Sequence, residues 1–302
     1  MSGLVSICIC TYRRALLQQT LESLARLEIP DGVKIEVVVV DNDASAFAQP
    51  IVERFAAGVP FRVRYTVEPR KGLSFARNCA LNAAAGDWLA LIDDDEVAAP
   101  SWLARLLESA ERYQADAAIG AVLPQFEQTP PAWLVNSRFF DRWLPPTGTR
   151  IGMGIALTGN ALFRAGFLRI SGLHFDHDFN ATGGEDSDFF RRFTDQGGVV
   201  VSAREAVVRE FVPRERMTAQ HLTKGSLWIG EIYARLSHRH GGPLAWALNM
   251  LRAGFNLGAA ALLTLINLPR GRASYYRYYL LLLRNAGKFR YYFGFRPIEM
   301  YK

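Results

Sequence analysis

The stretch Asp87-Trp88-Leu89-Ala90-Leu91-Ile92-Asp93-Asp94-Asp95-Glu96 is an apolar run that stops at four consecutive acids. A short apolar segment bounded by polar residues predicts a strand buried on both faces, as in the core of a parallel sheet. Its acids then stand at the strand's carboxyl end, where open α/β sheets bind their ligands. Side chains alternate along an extended chain, so Asp93 and Asp95 are expected on one side and Asp94 on the other. Two carboxylates converging on one spot repel unless a cation joins them. A hard divalent ion with positions left for phosphate oxygens suits such a pair. The competing reading of the same acids is a loop that caps the following helix.

Upstream, Leu4 to Cys10 and Ile35 to Val40 are near-continuous apolar runs, and the second ends at Asp41-Asn42-Asp43. Thr11 is placed to cap a helix from Arg13 to about Leu27, in which Leu17, Leu21 and Leu24 repeat at helical spacing. Gln49 to Ala57 reads as a helix, Phe61 to Val67 as a strand, and Gly72 to Ala85 as a helix closed by Gly86. Downstream come a helix over Ser101 to Tyr113, a strand over Ala117 to Leu123, and a proline- and aromatic-rich stretch from Thr129 to Thr149. That stretch suits a surface loop or lid, or else a packed irregular segment. A strand over Ala161 to Phe163 follows Thr158-Gly159-Asn160, and Val199 to Ser202 reads as a short strand. Between them, Glu185-Asp186-Ser187-Asp188 opens a helix with acids in its first turn, favourable for the helix dipole. Strand-helix alternation predicts a mostly parallel sheet flanked by helices, with Asp41 and Asp93 on one edge. GxGxxG and GxxxxGK[ST] are absent from the N-terminal half, which disfavours dehydrogenases and P-loop NTPases.

The 302 residues, 50% of them hydrophobic, suffice for one large core with or without an appendage. Cys8, Cys10 and Cys79 have neither zinc spacing nor the number for a disulfide framework, so buried reduced thiols are expected. No basic and apolar leader with a cleavage site precedes Leu4, so no signal peptide is expected. The net charge of +6 is uneven: Ile232 to Lys302 holds 11 Lys/Arg against Glu299 alone, while the first 231 residues net −4. A near-neutral, slightly acidic body with a basic tail argues against nucleic acid as a partner.

Three segments together resemble the family-2 inverting glycosyltransferases of the GT-A fold. They are Ser6-Ile7-Cys8-Ile9-Cys10-Thr11-Tyr12-Arg13; Ala76-Arg77-Asn78 leading through Gly86-Asp87 to Asp93-Asp94-Asp95; and Gly184-Glu185-Asp186-Ser187-Asp188-Phe189. The resemblance covers roughly residues 4 to 230. Its wording is similar to the exopolysaccharide branch that includes succinoglycan glucosyltransferases. It implies that Thr11, Tyr12, Arg13, Asp41, Arg77, Asp93, Asp94, Gly159 and Asn160 hold the nucleotide sugar. Asp41 would take the base or ribose, and Gly159 and Asn160 would line the sugar pocket. It also implies that Asp95 with Asp93 ligates a divalent metal, Mn²⁺ or Mg²⁺, and that Asp186, with Glu185 beside it, is the catalytic base. Repulsion from Glu185 and Asp188 is expected to raise the pKa of that base. His174, His177 and His221 read as surface or core histidines. Arg216 or Lys224 is a further candidate for the diphosphate.

The tail from 232 to 302 is expected to be a helical appendage to a catalytic domain at 1–231. Leu244 to Leu268 is strongly apolar but interrupted by Asn249, Arg252, Asn256 and Asn267. Tyrosines and arginines beside leucines suit the headgroup layer of an anionic membrane. Interfacial helices, a true span, and a helical pack or homodimer contact are the three readings. A membrane-hugging transferase on the cytoplasmic face of the inner membrane implies a lipid-linked saccharide acceptor. Other functions consistent with the sequence are a polyprenyl-phosphate sugar synthase and a sugar-nucleotide nucleotidyltransferase. The second would want a glycine-rich loop where Cys10 to Leu16 has no glycine. A non-enzymatic sugar-binding module would not need Asp186.

Overall fold

The computed structural model describes residues 3–152, 154 and 157–299. Met1, Ser2 and the last three residues of the predicted tail, Met300 to Lys302, lie outside the described residues.

One eight-stranded sheet runs through the chain. Its strands are β1 (Gly3–Thr11), β2 (Val33–Asp41), β3 (Arg62–Val67), β4 (Trp88–Ile92), β5 (Glu96–Ala98), β6 (Ala117–Phe126), β7 (Asn160–Arg164) and β8 (Val200–Val212). The order is β3-β2-β1-β4-β7-β6-β8-β5. The pairs β3-β2, β2-β1 and β1-β4 are parallel; β4-β7, β7-β6 and β8-β5 are antiparallel. The predicted α/β layout with a parallel core therefore holds over the first four strands, and the sheet continues beyond them as antiparallel strands. The chain passes from β1 out to β3 and then returns to β4 on the other flank of β1. This reversal makes the carboxyl ends of β1, β2 and β4 a topological switch point.

The near-continuous apolar runs are explained by burial on both faces. Val5, Ile7 and Ile9 of β1 meet Val37 and Val39 of β2 on one face, where α1 (Leu17–Leu24), α2 (Gln49–Ala56) and α4 (Trp102–Arg112) pack. Cys8, Val38, Val40, Leu89 and Leu91 point to the other face, toward α3 (Leu73–Ala83), α6 (Ala165–Ser171) and α7 (Glu185–Asp195). On that face Phe189, Phe190 and Phe193 of α7 surround Phe163, with Phe175 stacked on Phe189 at 4.3 Å. Each such buried side chain contributes about 1.5–3 kcal/mol by leaving water, so α7 is pinned by its own aromatic face.

Three expected elements differ. α1 starts at Leu17 rather than Arg13, because Arg13 has φ 49° and Arg13 and Arg14 are drawn into ion pairs with Asp43 and with Asp94 and Asp95. Gly86 is required for proximity and not as a helix terminator: a Cβ there would stand 2.6 Å from Ser6 N and 2.8 Å from Leu4 O of β1. β8 extends ten residues beyond the predicted Ser202 and brings in β5 as the sheet edge.

The chain divides into two compact units, 1–123 with 142–180 and 185–211, and 124–141 with 181–184 and 212–302. The expected boundary at 231/232 falls within an unbroken helix, α8 (Ala219–His240). The second unit also contains α5 (Ala132–Ser137), α9 (Pro243–Asn267) and α10 (Arg272–Tyr292). Trp133, Phe139 and Phe140 pack around the core of this unit, so the first part of the expected lid is a packed segment; Trp143, in the first unit, is 69% exposed. Gly230 of α8 and Gly287 of α10 allow a backbone-to-backbone crossing. A Cβ on either would collide with a carbonyl of the opposite helix, that of Arg284 or Leu227.

Candidate active site

β1 ends at Thr11, β4 hands over to Asp93-Asp94-Asp95, and α7 begins at Glu185-Asp186; all of these acids meet arginines. Arg77, on α3 and 5% exposed, is the hub. Its Nη1 donates to Glu185 Oε1 (2.7 Å) and to Asp186 Oδ1, and its Nη2 lies 3.6 Å from Asp93 Oδ1. Burial works against the charge on Arg77, but Asp186, Glu185 and Asp93 outweigh it and hold its pKa above the ordinary value. Glu185 is also shifted upward, which for a carboxyl favours the neutral form. Burial and the neighbouring Asp186 raise its carboxyl, with Arg77 opposing.

Asp186 is fixed from a second direction. Thr158 Oγ1 donates to Asp186 Oδ1 (2.7 Å), and the Thr158 amide reaches Oδ2 at 3.3 Å. Oδ1 thus takes two donors, while Oδ2 takes one long contact. Asp188, expected to repel Asp186, is instead buried and bound by Arg192 Nε at 2.7 Å, so its charge is neutralised on its own helix.

The three acids after β4 divide differently from strand alternation. The extended strand ends at Ile92, and the chain turns, with Glu96 N donating to Asp93 O (3.2 Å). Asp94 and Asp95 therefore share one cation, Arg14: its Nε lies 3.4 Å from Asp94 Oδ1 and its Nη1 meets Asp95 Oδ2. Thr11 Oγ1 donates to Asp94 Oδ2 (2.7 Å), a contact that replaces the expected helix cap. Burial pushes the Asp94 carboxyl up to about 7; Arg14 and Thr11 oppose this, and Asp95 and Asp93 add to it. Glu96 supports the turn by accepting from Asp93 N (3.1 Å), and its Oε1 has no hydrogen-bond partner among the described residues. A Cβ on Gly159 would stand 2.6 Å from Asp93 Oδ2 and 3.1 Å from that orphan oxygen, so only glycine leaves both acids where they are.

The other expected contacts are placed as follows. Tyr12 is 39% exposed, with Lys71 Nζ at 5.1 Å and Arg13 Cζ at 5.6 Å from its ring centre. Arg13 forks onto Asp43 (2.7 and 3.2 Å). Asp41 is buried and satisfied internally, accepting from Asp43 N (3.0 Å), Ala48 N (2.7 Å) and Tyr65 Oη (2.8 Å), so it braces the loop after β2. Asn160 is likewise internal: its Oδ1 accepts from Trp102 Nε1 (2.7 Å) and its Nδ2 donates to Ala121 O and Ala206 O. The His177 ring lies tilted against Phe75 with centroids 4.2 Å apart, and His221 packs edge-on against Phe139. Arg216 and Lys224 belong to the second unit. Cys8 is buried, and burial pushes the Cys10 thiol up to about 12, consistent with inert thiols. Arg14 and Thr158 were missed; the sequence signal for each is weak, a basic residue after Thr-Tyr-Arg and a threonine before a glycine.

The acids offer only oxygen donors, suited to a hard divalent ion. Among the described residues no three His, Cys, Asp or Glu side chains converge as a finished cage. Two carboxylates left to be completed by phosphate oxygens fit an ion that retains open positions.

Residues 6–170 match the model of Glycosyl transferase family 2. The chain is 34% identical over 297 residues to the succinoglycan biosynthesis protein ExoM of Rhizobium meliloti (strain 1021), covering 98% of this chain and 95% of that protein. It therefore belongs to glycosyl transferase family 2. A mannosyltransferase of Pyrobaculum calidifontis, PcManGT, solved with GDP-Man and Mn²⁺, matches with a TM-score of 0.64 at 19% identity over 96% of this chain and 88% of that one. TarS residues 1–349 of S. aureus, solved with UDP, match with a TM-score of 0.56 at 16% identity over 97% and 92%. A longer TarS structure is covered to 43% of its length, with a TM-score of 0.52. The shared architecture is the GT-A fold.

Proposed function

We propose that this glycosyltransferase moves a sugar from a UDP-sugar to a lipid-linked saccharide, with inversion at the anomeric carbon, in assembly of a surface polysaccharide. The reading rests most on Arg77, which joins Asp93 after β4 to Glu185 and Asp186 on α7. A donor-side acid and a candidate base are thereby gathered around one guanidinium. The likeness to ExoM supports the polysaccharide context, and the UDP bound to TarS supports the donor class.

Asp93 and Asp95 would hold Mn²⁺ or Mg²⁺, which when bound neutralises charge growing on the leaving diphosphate. Arg14 and Arg77 supply positive charge beside the same acids. Thr11, Tyr12 and Arg13 stand at the end of β1, where the nucleoside would lie, with Asp41 in register beside Thr11 to take the base or ribose. Asp186 takes the proton of the acceptor hydroxyl on Oδ2, while Thr158 and Arg77 hold Oδ1. The acceptor oxygen bonds to the anomeric carbon as the bond to the diphosphate breaks, and UDP leaves with the electron pair. One displacement from the opposite face inverts the centre.

Incubation with a panel of nucleotide sugars, with Mn²⁺ or with chelator, tests the donor and the metal together. Release of UDP from one UDP-sugar, and its loss on chelation, is expected. Release of GDP alone would overturn the donor, and activity insensitive to chelation would overturn the metal.

Membrane association, and with it a lipid-linked acceptor, is supported by α9. Among the described residues, Pro243–Arg270 is the one helical stretch long and apolar enough to cross a membrane, with mean hydropathy 1.3 and 11% buried. Leu244, Leu248, Leu251, Phe255, Leu262 and Ile266 recur at helical spacing and are exposed. Basic neighbours would draw this face to anionic lipid. In sedimentation with phosphatidylglycerol vesicles, Leu251→Glu/Phe255→Glu should cut the bound fraction at least tenfold, and an unchanged partition would refute the membrane role.

A further inference from the structure

Thr182-Gly183-Gly184 leads directly into Glu185 and Asp186. Gly183 (φ 70°) and Gly184 (φ 99°) are in left-handed conformations that suit glycine and strain other residues. A two-glycine entry is intrinsically loose, and the first turn of any helix has backbone amides without intrahelical partners. Arg77 and Thr158 hold the Asp186 carboxylate and the aromatic face holds α7, which leaves the entry backbone still to be held to the tolerance of about 0.5 Å that catalytic groups need.

Two side chains of α8 do so. Trp228 Nε1 donates to Thr182 O (2.6 Å), and Arg235 Nη1 donates to Thr182 Oγ1. The Trp228 ring also closes over Gly183, where a Cβ would stand 2.5 Å from Cζ2. Trp228 and Arg235 are seven residues apart, two turns on one helix face. Glu231 lies between them and ties that face to α10 and the chain beyond it. It accepts from Arg290 Nε (2.7 Å) and from Ile298 N (2.8 Å). Both the carbonyl and the hydroxyl of Thr182 are thus gripped by an anchored helix, three residues before Glu185 and four before Asp186.

We propose that Trp228 and Arg235 are positioning residues that set the place of Asp186 through the Thr182-Gly183-Gly184 segment. The inference rests on Asp186 as the base. The bonds from both side chains to Thr182 act on the segment that carries the base, so their loss should misplace the base more than it disturbs donor binding. A misplacement of about 1 Å costs up to about 10²-fold in rate.

The test uses the full-length protein and the UDP-sugar that the wild type turns over fastest in the panel above. Arg235→Ala and Trp228→Phe should lower kcat about 10- to 100-fold with donor KM within twofold, and Arg235→Lys, which keeps a donor, should recover part of the loss. Hydrogen exchange gives a readout free of turnover: amides 183–188 should exchange about tenfold faster in Arg235→Ala, with α8 as protected as in the wild type. Unchanged exchange at 183–188, or wild-type kcat in both Arg235→Ala and Trp228→Phe, overturns this inference alone. Wild-type turnover in Asp186→Asn overturns the proposed base and this inference with it.

Discussion

Asp186→Asn should lower kcat by about 10³-fold, within the range that a positioned base contributes, with donor KM nearly unchanged. The amide keeps the size of the carboxylate, and its oxygen can still accept from Thr158 Oγ1 and Arg77 Nη1, the two bonds that hold Oδ1 now. It cannot take a proton from a hydroxyl. Arg77 keeps Glu185 at 2.7 Å and Asp93 at 3.6 Å, so its buried charge is not stranded. The melting temperature should therefore stay close to that of the wild type, and steady-state UDP release would report chemistry and not unfolding. Glu185→Gln separates the two acids. Its carboxyl is buried and raised, so replacing it should cost far less turnover than replacing Asp186. Wild-type turnover in Asp186→Asn would remove the base from this site.

The sheet edge was legible in sequence because three apolar runs end in Thr11, Asp41 and Asp93, and burial on both faces demands such runs. The acids of α7 were legible because a helix start favours them. Long-range pairing was not. Arg14 meets Asp95 across 81 residues and Arg77 meets Asp186 across 109, and no local pattern encodes which arginine answers which acid. Asp41 and Asn160 show the converse: their residue types suit a polar ligand, yet each spends its hydrogen bonds on backbone and neighbouring side chains. Strand alternation failed at Asp94 for a local reason. The chain leaves the extended conformation after Ile92, so a period of two has nothing to act on, and Glu96 closes the turn. The helix boundary at Arg13 failed because two ion pairs outweigh the propensity of one more helical turn.

Asp95→Asn should abolish most of the metal-supported turnover, raising the Mn²⁺ concentration for half-maximal activity by about 10²-fold or more. Changes even to the outer shell of a metal site cost 10- to 100-fold, and here one of two proposed ligands is lost. The structure adds a competitor. Arg14 Nη1 occupies Asp95 Oδ2, and its Nε lies 3.4 Å from Asp94, so a cation binding Asp95 must displace a guanidinium that already balances the charge. Arg14→Ala should then lower the Mn²⁺ requirement while reducing kcat, because the same guanidinium is near enough to serve the diphosphate once released. Thermal melting gives a second measure. A ligand that binds only the folded state stabilises it by RT ln(1 + [L]/Kd). Mn²⁺ should raise the melting temperature of the wild type, raise that of Arg14→Ala at lower concentration, and leave that of Asp95→Asn unmoved. Equal shifts in all three proteins would place the ion elsewhere and leave Asp95 with a structural role beside Arg14.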